Sequence, residues 1–116
     1  MVRGQTVRGN AASGFGGGLR NHGTLTVDGS SVYGNVVNTS RGTDGPCGCA
    51  DGVPDAFGGG IDNEGALSVV NSSVFFNRAV VCDDDAYESA QGGGIANHTA
   101  EGASGPASVL LVASTI

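Results

Sequence analysis

Acidic residues in two polar segments are the side chains of this sequence most able to bind a metal ion. Asp44, Asp51 and Asp55 lie in the segment 36–57, and the run from Asp83 to Asp85 lies in the segment 78–91. Carboxylate oxygens are the ligands that Ca²⁺ prefers, although no EF-hand spacing is present. Asp51, Asp55, Asp83, Asp84 and Asp85 are therefore weak calcium candidates, and calcium is the one cofactor we consider. The alternative, which the sequence favours, is a solvated acidic surface that aids solubility.

The three cysteines lie in the same two segments. Cys47 and Cys49 are in the first and Cys82 is in the second. If the segments are neighbours in space, Cys49–Cys82 or Cys47–Cys82 can form a disulfide, which would contribute about 2–4 kcal/mol. A disulfide suits an oxidising extracellular setting, and the third cysteine would stay free. Free thiols and a three-thiolate metal site remain alternatives, although the CxC spacing differs from the usual zinc CxxC pair.

Acid–base catalysis has few candidates. Hydrolysis of a glycosidic bond requires two carboxylates at a defined separation. Asp62 and Glu64 lie on or beside an apolar strand pattern, and no matching pair occurs in the neighbouring repeat. His22 occupies a turn position and His98 lies in an inserted segment, so we interpret both as exposed turn histidines. The sequence leaves open whether the chain is an enzyme, favours a non-catalytic role and gives no catalytic residue.

An internal repeat must position all of these residues. GGGLRNHGTLTVDGSSVYGN at 16–35 aligns without a gap with GGGIDNEGALSVVNSSVFFN at 58–77. A third copy begins with GGGIAN at 92–97 and resumes with SVLLVASTI at 108–116, and TVRGN at 6–10 matches the end of a unit. We call these the first, second and third repeats. The chain thus starts inside one repeat and stops inside another.

Each repeat contains three short apolar stretches with a period of two, and each stretch is followed by Asn or Gly. This pattern predicts three short strands separated by tight turns, the arrangement found in one coil of a parallel β-solenoid. No segment has helical periodicity, so we predict essentially no helix. The expected coils are 16–57, 58–91 and 92–116, with a partial coil at 1–15. The long loops leave one corner of the coil, and an excursion at 98–107 leaves a second.

The predicted core is a stack of aliphatic side chains, one set from each coil. Its members are Leu19, Leu25, Val27, Val32, Ile61, Leu67, Val69, Val74, Ile95, Val109 or Leu110, Val112 and Ile116.

Two sets of asparagines recur at equivalent positions. The first set is Asn21, Asn63 and Asn97, and the second is Asn10, Asn35 and Asn77. Coils stack about 4.8 Å apart, so equivalent amides would form hydrogen-bonded ladders. A polar binding stripe is the functional alternative to this structural interpretation. The triple glycines likewise indicate close backbone approach at a corner rather than a phosphate-binding loop, because a strand pattern follows them and not a helix.

Repeated GGGI…N followed by VxxN resembles the repeats of polymorphic outer membrane proteins, whose signature pairs GGAI with FxxN. It also resembles the wider set of right-handed β-helix proteins of the pectin-lyase-like fold. The resemblance covers nearly the whole chain apart from the loops, with Val7, Val32 and Val74 standing where the signature has Phe. It implies an all-β, right-handed, single-stranded parallel β-helix of about three coils. Proteins with such repeats are usually large, secreted or surface-displayed, and many act in adhesion, whereas other members of the fold cleave acidic polysaccharides.

Charge and composition exclude several classes of partner. The chain has 11 acidic residues against five arginines and no lysine, giving a net charge of −6. Nucleic acids and anionic membranes attract basic patches, so we expect neither as a partner. No apolar run approaches the roughly 20 residues of a membrane helix, and the first ten residues do not resemble a signal peptide. The lysine-free composition, rich in Ala, Gly, Asp and Arg, suggests a bacterial protein, and the resemblance implies a location outside the cell or on its surface.

Three functions follow as expectations. The favoured one is a non-catalytic module that supports or presents a ligand-binding surface, with a glycan or a cell-surface protein as partner. The second is a unit that binds or degrades polysaccharide, and the third is a truncated reading frame without independent function. Unpaired strand edges at the ends of the stack would also permit end-to-end self-association.

Overall fold

A computed structural model describes residues 1–38, 56–80, 90–99 and 105–116, and all regular structure within these ranges is β-strand. No helix in the described part of the chain is long and apolar enough to cross a membrane. The strands, in chain order, are β1 (Val2–Arg3), β2 (Thr6–Arg8), β3 (Ala11–Ala12), β4 (Leu19–Asn21), β5 (Thr24–Asp28), β6 (Ser31–Tyr33), β7 (Val36–Asn38), β8 (Ala56–Phe57), β9 (Ile61–Asn63), β10 (Ala66–Val70), β11 (Ser73–Phe75), β12 (Arg78–Val80), β13 (Ala90–Gln91), β14 (Ile95–Asn97) and β15 (Ser108–Val112).

The strands pair only in parallel and form several small sheets. Their orders are β1-β5-β10-β15, β11-β6-β2, β12-β7-β3, β13-β8 and β14-β9-β4. Each pairing joins strands from different repeats, so no strand pairs with its neighbour in sequence. The register places equivalent residues together: Leu67 pairs with Leu25 on one side and with Val109 on the other. The fold is therefore all-β with parallel pairing between repeats.

The second repeat and its flanks contain five strands rather than the three expected. The additional ones are β8, which precedes the triple glycine, and β12, which follows Asn77. The burial of Val37 accounts for the pairing of β12. This side chain is fully buried, and its strand, β7, pairs with β3 on one side and with β12 on the other. The polar segment after the first repeat is consequently shorter than the 36–57 expected from the sequence.

The core consists of aliphatic side chains that alternate with outward-facing ones along the strands. Its buried cluster comprises Val27, Val32, Ile61, Leu67, Val69 and Val74. Val2, Val7, Leu19, Leu25, Ile95 and Val109 pack against this cluster and are partly buried. The predicted core is wrong at its last members, since Val112 is 44% and Ile116 is 52% exposed. Val112 pairs with Val70 and so lies on the outer face of its sheet, whereas Ile116 follows β15 at the edge of the stack, where no described strand covers it.

The recurrent asparagines lie one above another. Asn21 Nδ2 donates to Asn63 Oδ1 at 2.6 Å, and Asn63 Nδ2 donates to Asn97 Oδ1 at 2.7 Å. Asn63 is fully buried and its amide also donates to the carbonyl oxygens of Gly65 and Ser108. These contacts satisfy a buried polar group and link three repeats.

The second set of asparagines makes the same kind of contact. Asn10 Nδ2 donates to Asn35 Oδ1, and Asn35 Nδ2 donates to Asn77 Oδ1, both at 2.9 Å. A row of serines that the sequence analysis did not identify adds to them: the Ser30 backbone N–H donates to Ser72 Oγ, and the Ser72 N–H to Ser114 Oγ, at 3.0 and 3.3 Å. Three polar rows thus run across the repeats.

The triple glycines lie where neighbouring repeats approach most closely. The first glycine of the second triplet, Gly58, has φ of +64°, a left-handed conformation that favours glycine. A Cβ on Gly59 would meet the carbonyl oxygen of Gly93 at 2.5 Å. The N–H groups of these glycines donate to carbonyl oxygens of the adjoining triplet, for example Gly59 to Gly92 at 3.0 Å. They are therefore used for pairing between repeats.

Candidate functional site

Two rows of outward-facing polar side chains form the candidate site, on the sheet β4-β9-β14. The register aligns Arg20 with Asp62 and Asp62 with Ala96. Asp62 stands between Ile61 and Asn63, which belong to the interior. Because side chains alternate along a strand, Asp62 and Arg20 occupy the outer face of the sheet.

The second row begins where these strands end. His22, Glu64 and His98 each follow one of the stacked asparagines. The Glu64 N–H donates to the Asn21 carbonyl oxygen at 2.8 Å, and the His98 N–H donates to the Asn63 carbonyl oxygen at 3.0 Å. The pairing of the strands therefore continues one residue further and places the carboxylate between the two imidazoles.

The five polar side chains of these rows contact one another closely. His98 Nε2 lies 2.8 Å from Asp62 Oδ1 and 3.9 Å from Glu64 Oε1. The guanidinium of Arg20 reaches both carboxylates, with Nη2 3.0 Å from Glu64 Oε1 and Nε 3.3 Å from Asp62 Oδ2. His22 Nδ1 lies 2.7 Å from Glu64 Oε2. We call this group the Asp62 cluster: Arg20, His22, Asp62, Glu64 and His98.

Two stacked phenylalanines border the Asp62 cluster. The rings of Phe15 and Phe57 have centroids 5.6 Å apart and are nearly parallel. Arg20 Cζ lies 4.1 Å from the centroid of the Phe15 ring, a cation–π distance, and the ring of His98 lies 4.5 Å from that of Phe57. The aromatic pair therefore limits the orientations available to the guanidinium and the imidazole.

The two carboxylates differ in environment. The side chain of Asp62 is fully buried, whereas that of Glu64 is 7% exposed. Burial raises the pKa of Asp62 despite the opposing hydrogen bond from His98. Burial alone would also raise the pKa of Glu64, but the hydrogen bond from Arg20 and the charges of His22, Arg20 and His98 together lower it. The pKa values of these two neighbouring acids are therefore shifted in opposite directions, upward for Asp62 and downward for Glu64.

One atom of the cluster has no hydrogen-bond donor. Asp62 Oδ2 is buried and accepts no hydrogen bond, although Arg20 Nε lies 3.3 Å away. Asp62, Glu64 and His98 each offer one ligand atom, and these atoms lie within 4.8 Å of one another. Chemically the arrangement suits cation binding, whereas direct attack on a substrate by Asp62 is excluded in this conformation because its carboxylate has no exposed surface.

The predicted disulfide and calcium positions lie outside the described residues. This applies to Cys47, Cys49 and Cys82 and to all five calcium candidates, Asp51, Asp55, Asp83, Asp84 and Asp85. Both asparagine sets are described and are brought together as stated above. Of the two histidines, His22 has a side chain that is 59% exposed, as expected, but the interpretation of His98 is wrong, because its side chain is 26% exposed and contacts Asp62.

The sequence contains a signal for this cluster. Aligning the three triple-glycine motifs places His22, Glu64 and His98 at one repeat position, and Arg20 and Asp62 at another. The third repeat is interrupted shortly after Asn97, and His98 is the last residue that still aligns with the other repeats. An interruption placed one residue earlier hides this equivalence.

Comparison of the chain with models of known protein families, with curated proteins and with solved structures gives no match.

Proposed function

We propose that this chain is a segment of a right-handed parallel β-helix in which each repeat forms one coil. The observation that supports it most is the register, which pairs equivalent residues of successive repeats in every sheet where two repeats meet. Leu25, Leu67 and Val109 are one such row. Rows of like residues, short parallel strands and polar ladders are what stacking of a repeated coil produces.

We further propose a non-catalytic role for this segment in a secreted or cell-surface protein of a bacterium. The ends of four strands mark where we expect contact. The segment 39–55 follows β7 and precedes β8, and the segment 81–89 follows β12 and precedes β13. Because β7 pairs with β12 and β8 pairs with β13, the strand ends that flank these segments lie side by side. A glycan or a cell-surface protein would bind on that side of the stack.

The buried state of Asp62 supports a presenting role over polysaccharide cleavage. A glycosidase or lyase requires its acid and base to touch the sugar. His98 contacts one oxygen of Asp62, the charge of Arg20 lies 3.3 Å from the other, and the carboxylate has no exposed surface. The network therefore supports the sheet rather than facing a substrate.

Two measurements test this proposal. Antibodies against the chain should label intact cells of its source, and labelling that requires permeabilised cells would contradict the surface location. The purified chain should release no reducing ends from polygalacturonate or from a panel of neutral and acidic polysaccharides. Release that is lost in Asp62→Asn but kept in His22→Gln would contradict the non-catalytic role and support the polysaccharide-degrading alternative.

A further inference from the structure

The Asp62 cluster combines the donor types that divalent transition metals bind. It offers an imidazole nitrogen of His98 and carboxylate oxygens of Asp62 and Glu64, all within 4.8 Å of one another. Ligand atoms at about 2.0–2.2 Å from a zinc ion lie roughly 3.4 Å apart in a tetrahedral site. The separations of His98 Nε2 from Asp62 Oδ1 and Glu64 Oε1, 2.8 and 3.9 Å, bracket that value. Small side-chain movements would therefore bring the three atoms around one ion.

The buried oxygen of Asp62 provides a second, independent observation. Asp62 Oδ2 accepts no hydrogen bond although its residue is fully buried. A buried carboxylate oxygen without a donor is costly, and coordination of a metal removes that cost. The position of Arg20, 3.3 Å away and half-exposed, provides charge but no hydrogen bond to this atom.

The charge of the cluster also favours a cation. Two carboxylates face one guanidinium, so the cluster is negative when both imidazoles are neutral. Arg20 is stacked on Phe15, and its contact with Glu64 lies on the exposed side of the cluster. A metal ion would replace the charge that Arg20 supplies to the carboxylates, while the guanidinium keeps its place over the phenylalanine ring.

We propose that Asp62, Glu64 and His98 form a binding site for one divalent transition-metal ion of the Zn²⁺ or Mn²⁺ class. Mixed nitrogen and oxygen donors suit these ions, whereas calcium takes six to eight oxygens and copper(I) prefers sulfur. His22 bonds the second oxygen of Glu64 and orients that carboxylate from outside. The ion would link the second repeat to the third, since Asp62 and Glu64 belong to one and His98 to the other.

The test uses the 116-residue chain with its thiols alkylated, because cysteines bind zinc themselves. Zn²⁺ is titrated by calorimetry, with Mg²⁺ as the comparison ion. One Zn²⁺ per chain should bind, and the association constant should fall at least ten-fold in Asp62→Asn and in His98→Gln. Arg3→Gln, which breaks a distant exposed ion pair with Asp28, is the matched control and should bind as the unaltered chain does.

Nitrogen NMR of the unaltered chain gives a readout that does not depend on whether a variant folds. Zn²⁺ should shift the Nε2 resonance of His98 far more than either ring nitrogen of His22. Absence of Zn²⁺ binding, undiminished affinity in both cluster variants, or a shift confined to His22 would each overturn the proposal.

Discussion

His98 Nε2 lies 2.8 Å from Asp62 Oδ1 although 36 positions of sequence separate the two residues. The contact arises because the third repeat is in register with the second, so that His98 stands over Glu64 and beside Asp62. Its geometry is thus a consequence of repeat stacking rather than of local sequence. The same stacking buries the carboxylate beneath the guanidinium of Arg20 and the ring of His98.

Asn63, the central member of the row formed by Asn21, Asn63 and Asn97, should contribute strongly to the stability of the fold. Asn63→Ala removes the hydrogen bonds that Asn63 donates to Asn97, Gly65 and Ser108. It also removes the shortest of the three hydrogen bonds that Asn21 Nδ2 donates, at 2.6 Å. We expect a loss of about 3 kcal/mol in the free energy of unfolding, measured by urea denaturation. Asn97→Ala, at the exposed end of the row, should cost about 1 kcal/mol. Equal losses at the two positions would show that the row does not act across repeats.

Two glycines at the same repeat position should respond differently to alanine. A Cβ on Gly65 would collide with the carbonyl oxygen of Gly23, whereas a Cβ on Gly23 would have nothing within 4 Å. Gly65→Ala should therefore lower stability by about 2 kcal/mol, as overpacking does. Gly23→Ala should change it by less than about 0.5 kcal/mol. Thermal unfolding followed by circular dichroism compares them, and a tolerated Gly65→Ala would contradict the spacing of the repeats at this turn.

Two leucines on neighbouring strands provide a test of the core. Leu67 is 2% exposed and Leu111 is 48% exposed. Leu67→Ala should cost about 3 kcal/mol, because it leaves a cavity in the central repeat. Leu111→Ala should cost less than about 1 kcal/mol in this chain. Chemical denaturation of both variants measures the difference, and a larger loss at Leu111 would place the core elsewhere.

The two carboxylates of the Asp62 cluster should affect the pH dependence of stability in opposite directions. The pKa of Asp62 is raised above its ordinary 3.8 by burial, so the folded state keeps a proton that the unfolded state has lost. The contribution of Asp62 to stability therefore falls as pH rises from 3.8 through its folded pKa. The pKa of Glu64 is lowered below its ordinary 4.5, since its partners Arg20, His22 and His98 outweigh burial, so its contribution is full above pH 4.5 and is lost as pH falls through its folded pKa.

Single variants separate these two effects. The stability of the unaltered chain relative to Asp62→Asn should decline as pH rises through the acidic range. Its stability relative to Glu64→Gln should increase over the same range. Denaturation at a series of pH values measures both differences, and slopes of the same sign would contradict the environments described for the two acids.

The alignment of the repeats predicts the three strands within each repeat, their parallel pairing and the contacts of the stacked asparagines, because equivalent residues must meet when repeats stack. The strands β3, β7, β8, β12 and β13 were missed because they are short and lie next to or within segments taken as loops, where two or three residues show no clear period. The role of His98 was missed for a related reason. Its repeat continues for only one residue before the excursion, and its partner Asp62 is outward-facing, a position where sequence gives no measure of burial.

The prediction that Val112 and Ile116 are buried in the core was wrong for a different physical reason at each residue. Val112 pairs with Val70, one position beyond the buried Val69, so it lies on the outer face of β15, and the unbroken apolar run VLLV shows no period that would have assigned its face. Ile116 lies beyond β15 at the edge of the described stack, and a side chain there is buried only if a further strand covers it. Sequence periodicity does not show whether a face is covered.

The central claim is that each repeat stacks in register on the next, and Leu67 tests it most directly. The pairing places Leu67 opposite both Leu25 and Val109. Solution NMR on isotopically labelled chain should therefore show backbone contacts from Leu67 to these two residues at once, as expected for strands about 4.8 Å apart. Contacts from Leu67 only to strands of its own repeat, or to residues shifted from this register, would contradict the account.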